Sequence, residues 1–310
     1  MTAPLVSVVI PAYNAARTLE ATVRSVQAQT VQDFEIIIVD DGSKDDTLAV
    51  ARSIVDERIR VISQANGGVA AARNTGIKGA TGKYVALLDA DDLWLPHKLE
   101  RQLAVLEGEN NVFAVQAGAI FVDDSLGTLS VRPCFPSQDA LLETLLFQNM
   151  PNNMSTLIIA RHKFEEMGYF DTELEILEEW DMAIKVARYC NLVSIEEPLS
   201  LYRVHPGNRS RNLDIHIKPG HLVLERLFTD PNLPPYIRKQ KRRIHAHFYT
   251  MLAGGAFRVG RLAEFGKWAI KAVLTHPESL SYMAALPLRR LQRYSSRKNS
   301  DVSAKAVSAV

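Results

Sequence analysis

Only two cysteines occur in 310 residues, Cys134 and Cys190, with no Cys-x-x-Cys spacing and no neighbouring histidine cluster. A disulfide framework and a structural zinc site are thereby excluded, and a reducing compartment is the expected setting. No stretch has the uninterrupted apolar length of a membrane span, and the first residues, Met-Thr-Ala-Pro-Leu-Val-Ser-Val-Val-Ile-Pro, lack a basic leader. The chain therefore reads as soluble and cytoplasmic. Neither sign of charge dominates: 36 Lys and Arg against 35 Asp and Glu leave a net charge of +1, which argues against a nucleic-acid partner. No Gly-x-Gly-x-x-Gly follows the first apolar run and no Gly-Lys-Ser/Thr loop occurs, so neither a dinucleotide fold nor a phosphate-loop NTPase is supported.

What is present is hydrophobic side chains at 47% of positions, enough for a large core, arranged with two periods. Short β-branched runs (6–10, 35–39, 59–62, 84–88) alternate with amphipathic segments (16–29, 45–56, 69–79, 96–107). Strand followed by helix, repeated, predicts an α/β fold with a mostly parallel, Rossmann-like sheet flanked by helices. Leu19, Val23 and Val26 share one helical face, as do Leu99, Leu103 and Leu106, and both stripes belong to the core. Further strand-like runs lie at 112–123, 155–159, 192–195 and 199–204, with a helical stretch from Glu178. After about Arg211 the pattern becomes helices broken by prolines, at 220–228, 235–259, 262–274 and 277–293. The expected organisation is a domain over 1–211, a helical appendage over 212–295 and a disordered tail over 296–310. Within the domain, residues 1 to about 110 are expected to form one half and 111–211 a second, substrate-facing half.

Ligands of open parallel sheets sit beyond the carboxyl ends of the strands, and three polar clusters fall there. They are Pro11-Ala12-Tyr13-Asn14, Asp40-Asp41-Gly42-Ser43, and Asp89-Ala90-Asp91-Asp92. Three carboxylates at one strand end repel each other unless a cation lies among them, and hard oxygen donors suit Mg2+ or Mn2+. Asp91 or Asp92 can equally cap the helix that begins near Pro96.

The ordered runs Val-Ser-Val-Val-Ile-Pro-Ala-Tyr-Asn, Ile-Val-Asp-Asp-Gly-Ser-Lys-Asp-Asp-Thr, Gly-Gly-Val-Ala-Ala-Ala-Arg-Asn-Thr-Gly and Leu-Leu-Asp-Ala-Asp-Asp resemble the family-2 inverting glycosyltransferases of GT-A fold. The resemblance covers roughly residues 5–210 and implies a nucleotide-sugar donor, with UDP as the expected nucleotide. On that resemblance Asp41 reads the base, Asp40 braces the loop, Tyr13 lies over the base, and Pro11, Ala12 and Asn14 line it. Arg73 meets the base or the diphosphate. Asp91 and Asp92 hold the Mn2+ or Mg2+ that bridges the donor phosphates, Asp89 orients the ribose or the metal's waters, and His205 is a third metal ligand. Arg209 and Arg211 contact phosphate from a closing loop.

The catalytic base falls in Leu177-Glu178-Glu179-Trp180-Asp181. Matching the family's motif residue by residue points to Glu179, where the family usually has Asp, and Glu178 and Asp181 remain rivals. Trp180 is either a sugar platform or core. The Gln-x-x-Arg-Trp motif of processive members is absent, so one sugar per encounter is expected. The acceptor is a saccharide or lipid-linked saccharide, as in cell-surface polysaccharide or glycolipid assembly. The basic stretches 238–247 and Arg289, Arg290, Arg293, Arg297 and Lys298 suit peripheral contact with the cytoplasmic membrane face. Two rival readings are a nucleotidyltransferase of similar fold and a non-catalytic nucleotide-sugar-binding or membrane-tethered scaffold.

Overall fold

The computed structural model describes residues 3–132, 134, 141–147, 154–205 and 214–281. Arg209, Arg211, the basic cluster 289–298 and the tail 296–310 lie outside the described residues. Contacts divide the chain into two compact units, 1–211 and 212–310.

In the first unit the β-branched runs become strands because both their faces are covered. All seven residues of β1 (Val6–Ala12) are buried, and so are six of the seven in β2 (Phe34–Asp40). β3 (Ile59–Ser63), β2, β1 and β4 (Tyr84–Leu87) are parallel neighbours in that order, with Ala12 paired to Asp40 and Val9 to Leu87. Alternate side chains divide between two cores. Val6, Val8 and Ile10 point to the layer of α1 (Leu19–Gln27) and α4 (Lys98–Gly108), while Val9 points to the layer of α3 (Val69–Gly79). The stripes Leu19, Val23, Val26 and Leu99, Leu103, Leu106 are buried on the first layer, as their spacing predicts. α3 lies so close to the sheet at Gly76 that a Cβ there would stand 2.3 Å from Val9 Cγ1. α2 (Thr47–Ser53) covers the β2–β3 edge.

Beyond β4 the sheet continues through β8 (Ile158–Ala160), β6 (Ala114–Val122), β9 (Leu192–Arg203) and the two-residue β5 (Leu93–Trp94). β7 (Thr128–Arg132) pairs with β6 outside this path. β9 is one strand where the sequence suggested two. Two register shifts flank Gly118, which pairs with Pro198, so the ladder passes over Glu196, Glu197 and Leu199; a Cβ at Gly118 would press on Glu196 O at 3.0 Å. α5 (Leu141–Phe147), α6 (Lys163–Met167) and α7 (Glu178–Tyr189) pack on the second layer.

The second unit is helical: α8 (Asp214–Thr229), α9 (Pro235–Lys239), α10 (Lys241–Arg258) and α11 (Leu262–Thr275). α8 begins at Asp214, six residues before the expected start, and carries Pro219 within it. The predicted 235–259 helix breaks at Gln240 into α9 and α10. Tyr249 stacks on Trp268 at 5.9 Å between ring centroids, joining α10 to α11. Among the described residues, no helix is long and apolar enough to cross a membrane.

Candidate active site

β1, β2 and β4 end side by side, and a cleft of about 670 Å3 opens beyond them. Pro11 to Asn14, Asp41, Arg73, Asp89, Asp91, Glu178, Glu179, and His205 all line it. The cleft therefore brings together residues from six separate stretches of sequence.

Asp41 is buried, and its carboxylate accepts from Gln64 Nε2 (2.8 Å), Gly67 N (2.9 Å) and Gly68 N (2.8 Å). Three of its roughly four lone-pair positions hold the 64–68 loop, which leaves one for an incoming donor. Asp40 is also buried and accepts from Ser43 N and Ser63 Oγ, both at 3.3 Å, a bracing position. Tyr13 is 46% exposed at the cleft and open to stacking. Asn14, at φ +50°, ties the first loop to the second through Ser43 Oγ and Lys44 N.

Arg73 departs from its expected place against a base or diphosphate. Its guanidinium is buried and donates to three carboxylates: Asp89 Oδ1 (2.7 Å), Glu179 Oε1 (2.9 Å) and Glu178 Oε1 (3.1 Å). The Phe170 ring lies 5.1 Å from its carbon centre. One cation thus links the end of β4 to the first turn of α7. Leu177 initiates that turn in the left-handed region, at φ +68°, and the helix N-terminus favours the acids that follow it.

The three rival acids are then distinguished by their surroundings. Asp181 does not line the cleft and pairs with Lys185 Nζ at 2.7 Å. The Glu178 side chain is 9% exposed and held by Arg73. Glu179 is the most open of the three, with 30% of its side chain exposed. Its carboxyl is pushed up to about 7, chiefly by desolvation, which the Arg73 charge partly offsets and the charges of Asp89 and Glu178 reinforce. Trp180 is core: it is buried and donates from Nε1 to Leu145 O at 2.8 Å, so it offers no sugar platform.

The acidic triplet splits. Asp89 and Asp91 line the cleft, but Asp92 turns inward, fully buried, accepting from Ser155 Oγ (2.7 Å) and Arg203 N (3.0 Å). Its expected place as a metal ligand is corrected to a brace between the β4 end and β9. Burial, then the charges of Asp91 and Asp89, raise its carboxyl well above the usual range. Ser155 couples the two roles, because its hydroxyl also accepts from Asp89 N at 3.0 Å. Asp91 Oδ2 meets His205 Nε2 at 3.0 Å. Burial and the Asp89 charge raise the Asp91 carboxyl, and His205 partly offsets them.

The donor chemistry fits a hard divalent cation only as a shared site. Among the described residues no three His, Cys, Asp or Glu side chains converge to hold an ion. One carboxylate, completed by substrate phosphates and water, is a common way to bind Mg2+, and here that carboxylate is Asp91, with His205 beside it. Tyr202, Ser155, Arg203 and Gln64 take part in this architecture without having been singled out as site residues. Tyr202 and Arg203 lie in the strand-like run 199–204 and Ser155 opens the run 155–159, but nothing in those runs marked them as site residues, and Gln64 carried no signal.

The Glycosyl transferase family 2 profile matches residues 7–167. The uncharacterized glycosyltransferase RP339 of Rickettsia prowazekii is 34% identical over 206 residues, which take in 65% of this chain and 64% of that protein's length. The UDP-Glc:alpha-D-GlcNAc-diphosphoundecaprenol beta-1,3-glucosyltransferase WfaP of Escherichia coli is 37% identical over 216 residues, covering 67% of this chain and 80% of that one. Among solved structures, S. aureus TarS 1-349 in complex with UDP shares the fold, with a TM-score of 0.64 at 20% identity over 96% of this chain and 88% of that one. By its ordered strand-end motifs, its sheet and its relatives, the chain belongs to glycosyl transferase family 2.

Proposed function

We propose that the cleft binds a nucleoside-diphosphate sugar and passes the sugar, with inversion, to a hydroxyl of a saccharide or lipid-linked saccharide. The observation that carries this reading is the division of the cleft's acids into two groups held by different partners. Asp91 sits with His205, while Glu179 sits on Arg73 with its carboxyl pushed up to about 7. Pairs of acids in contrasting environments mark separate chemical roles.

Asp41 has one acceptor position left for a base N–H, and Tyr13 offers a ring for the base to stack on. The names of the Escherichia coli relative and of the TarS complex support uridine diphosphate as the nucleotide. Asp91 and His205 would hold Mg2+ or Mn2+, and such an ion supplies positive charge where a departing diphosphate gains negative charge. Glu179 accepts the acceptor hydroxyl's proton as that oxygen bonds to the anomeric carbon. The bond from that carbon to the phosphate oxygen breaks, and the nucleoside diphosphate leaves with the electron pair. Arg73 holds Glu179 in place through this exchange, and Glu178 and Asp89 fix Arg73 in turn.

A screen of UDP-, GDP- and dTDP-sugars, read as nucleoside diphosphate released in the presence of Mn2+ or EDTA, tests the reading. Release from a UDP-sugar is expected, suppressed by EDTA and lowered about 10²-fold or more in Asp91→Asn. Pyrophosphate released from a nucleoside triphosphate would instead make the protein a nucleotidyltransferase.

A further inference from the structure

The second unit carries a surface that the transfer chemistry leaves unused. Residues 212–310 contain 17 Lys and Arg against 6 Asp and Glu, a net charge of +11, while residues 1–211 contain 19 against 29, a net charge of −10. The overall charge of +1 conceals this asymmetry.

α11 buries Trp268 and Ala272 against its own unit. At 3.6 residues per turn its other side gathers Leu262, Ala263, Gly266, Ile270, Val273 and Leu274 on one face. Leu262, Ile270 and Leu274 are 66%, 62% and 75% exposed, and Val259 and Leu280 just beyond the helix ends are exposed too. Lys267 and Lys271 run along one border of this face, both exposed, their ammonium nitrogens 5.0 and 5.5 Å from the Trp268 ring centre. The only acid of the helix, Glu264, is paired with Arg261. The sequence that follows has the same character, with Met283, Leu286, Leu288 and Leu291 among five Lys and Arg and no acid between Glu278 and Asp301.

We propose that this face of α11 docks on a lipid bilayer rich in anionic headgroups. A helix that combines exposed aliphatic side chains with a lysine border lies in the plane of a bilayer interface, apolar face inward and ammoniums at the phosphates. Nucleic acid or an acidic protein surface would satisfy the charge but leave Leu262, Ile270 and Leu274 in water. The bilayer satisfies both. The docking stands apart from the transfer reaction, since its test needs neither donor nor acceptor.

The full chain is floated with phosphatidylcholine vesicles that contain or lack phosphatidylglycerol. Retention on the anionic vesicles is expected, weakened on raising salt from about 0.1 M to about 1 M. Ile270→Glu with Leu274→Glu should lower retention about tenfold or more while the circular dichroism spectrum is kept, both positions being exposed. Lys267→Glu, which leaves the apolar residues alone, should weaken retention on anionic vesicles only. The proposal is overturned if the parent fails to float, if the double variant floats equally well, or if the parent is a dimer that the double variant converts to monomer without any vesicle binding in either. It is equally overturned if the basic unit binds RNA with the same loss in the double variant and no vesicle retention.

Discussion

Replacing Glu179 by Gln is expected to lower turnover by about 10² to 10⁴-fold, the usual contribution of a positioned general base, with donor affinity retained. The amide keeps an oxygen for Arg73 Nη2, now 2.9 Å from Glu179 Oε1, so the α7 turn stays in place and only the proton acceptor is lost. The pH profile supplies a second readout. A base held up to about 7 by desolvation is protonated and inactive below that pH, so kcat/KM of the parent rises as pH passes upward through about 7 and then levels. In Glu179→Gln that limb disappears. Glu178→Gln should act through the position of Arg73, and Asp181→Asn should leave the limb intact, because Asp181 faces Lys185. Steady-state kinetics of the three variants beside donor binding decide among them; an unchanged rate and limb in Glu179→Gln would move the base elsewhere.

Arg73→Met should destabilise the first unit by about 3 kcal/mol or more, larger than any single packing contact of the region would give. The guanidinium is the shared partner of Asp89, Glu178 and Glu179, and its removal leaves three carboxylates facing one another in a low-dielectric setting. Breaking a buried ion pair from one side costs about 3–5 kcal/mol because the remaining charge has no compensation. The sign of the pH dependence follows. Without the cation the acids ionise only at higher pH in the folded state than in the unfolded chain, so the penalty is greatest above their folded values and shrinks as pH falls and they take up protons. Urea unfolding of parent and variant at several pH values measures this, with a deficit that narrows toward acid. Arg73→Lys should recover part of the stability but little of the activity, since a point charge cannot hold two helix acids and Asp89 in fixed geometry.

Much of the fold was legible because each parallel strand is a continuous apolar run and each helix carries its stripe at the 3.6 period, as in Val6 to Ala12 and in Leu19, Val23, Val26. The cleft was legible for the same reason: strand ends place Asp41, Asp89 and Asp91 together whatever the loops do. Sequence failed where the outcome depends on contacts made far along the chain. Arg73 pairs with acids 105 and 106 residues away, and no local pattern announces them. Asp91 and Asp92 are chemically alike, yet the turn after β4 sends one to the cleft and the other to Ser155 and Arg203. β7 went unseen because all five of its residues are exposed and so follow no inside-outside alternation. β9 was read as two strands because Pro198 ends a ladder unless a bulge receives it, and that bulge is set by Gly118 on another strand.

If Asp91 and His205 join the cation and the nucleotide in one cleft, calorimetric titration with UDP reads the coupling between them. With Mn2+ present UDP should bind the parent about tenfold or more tightly than in EDTA, and Asp91→Asn should lose that gain while keeping its fold. Equal affinity with and without the ion would mean that no cation bridges nucleotide and cleft, and an undiminished gain in Asp91→Asn would mean that Asp91 does not hold it.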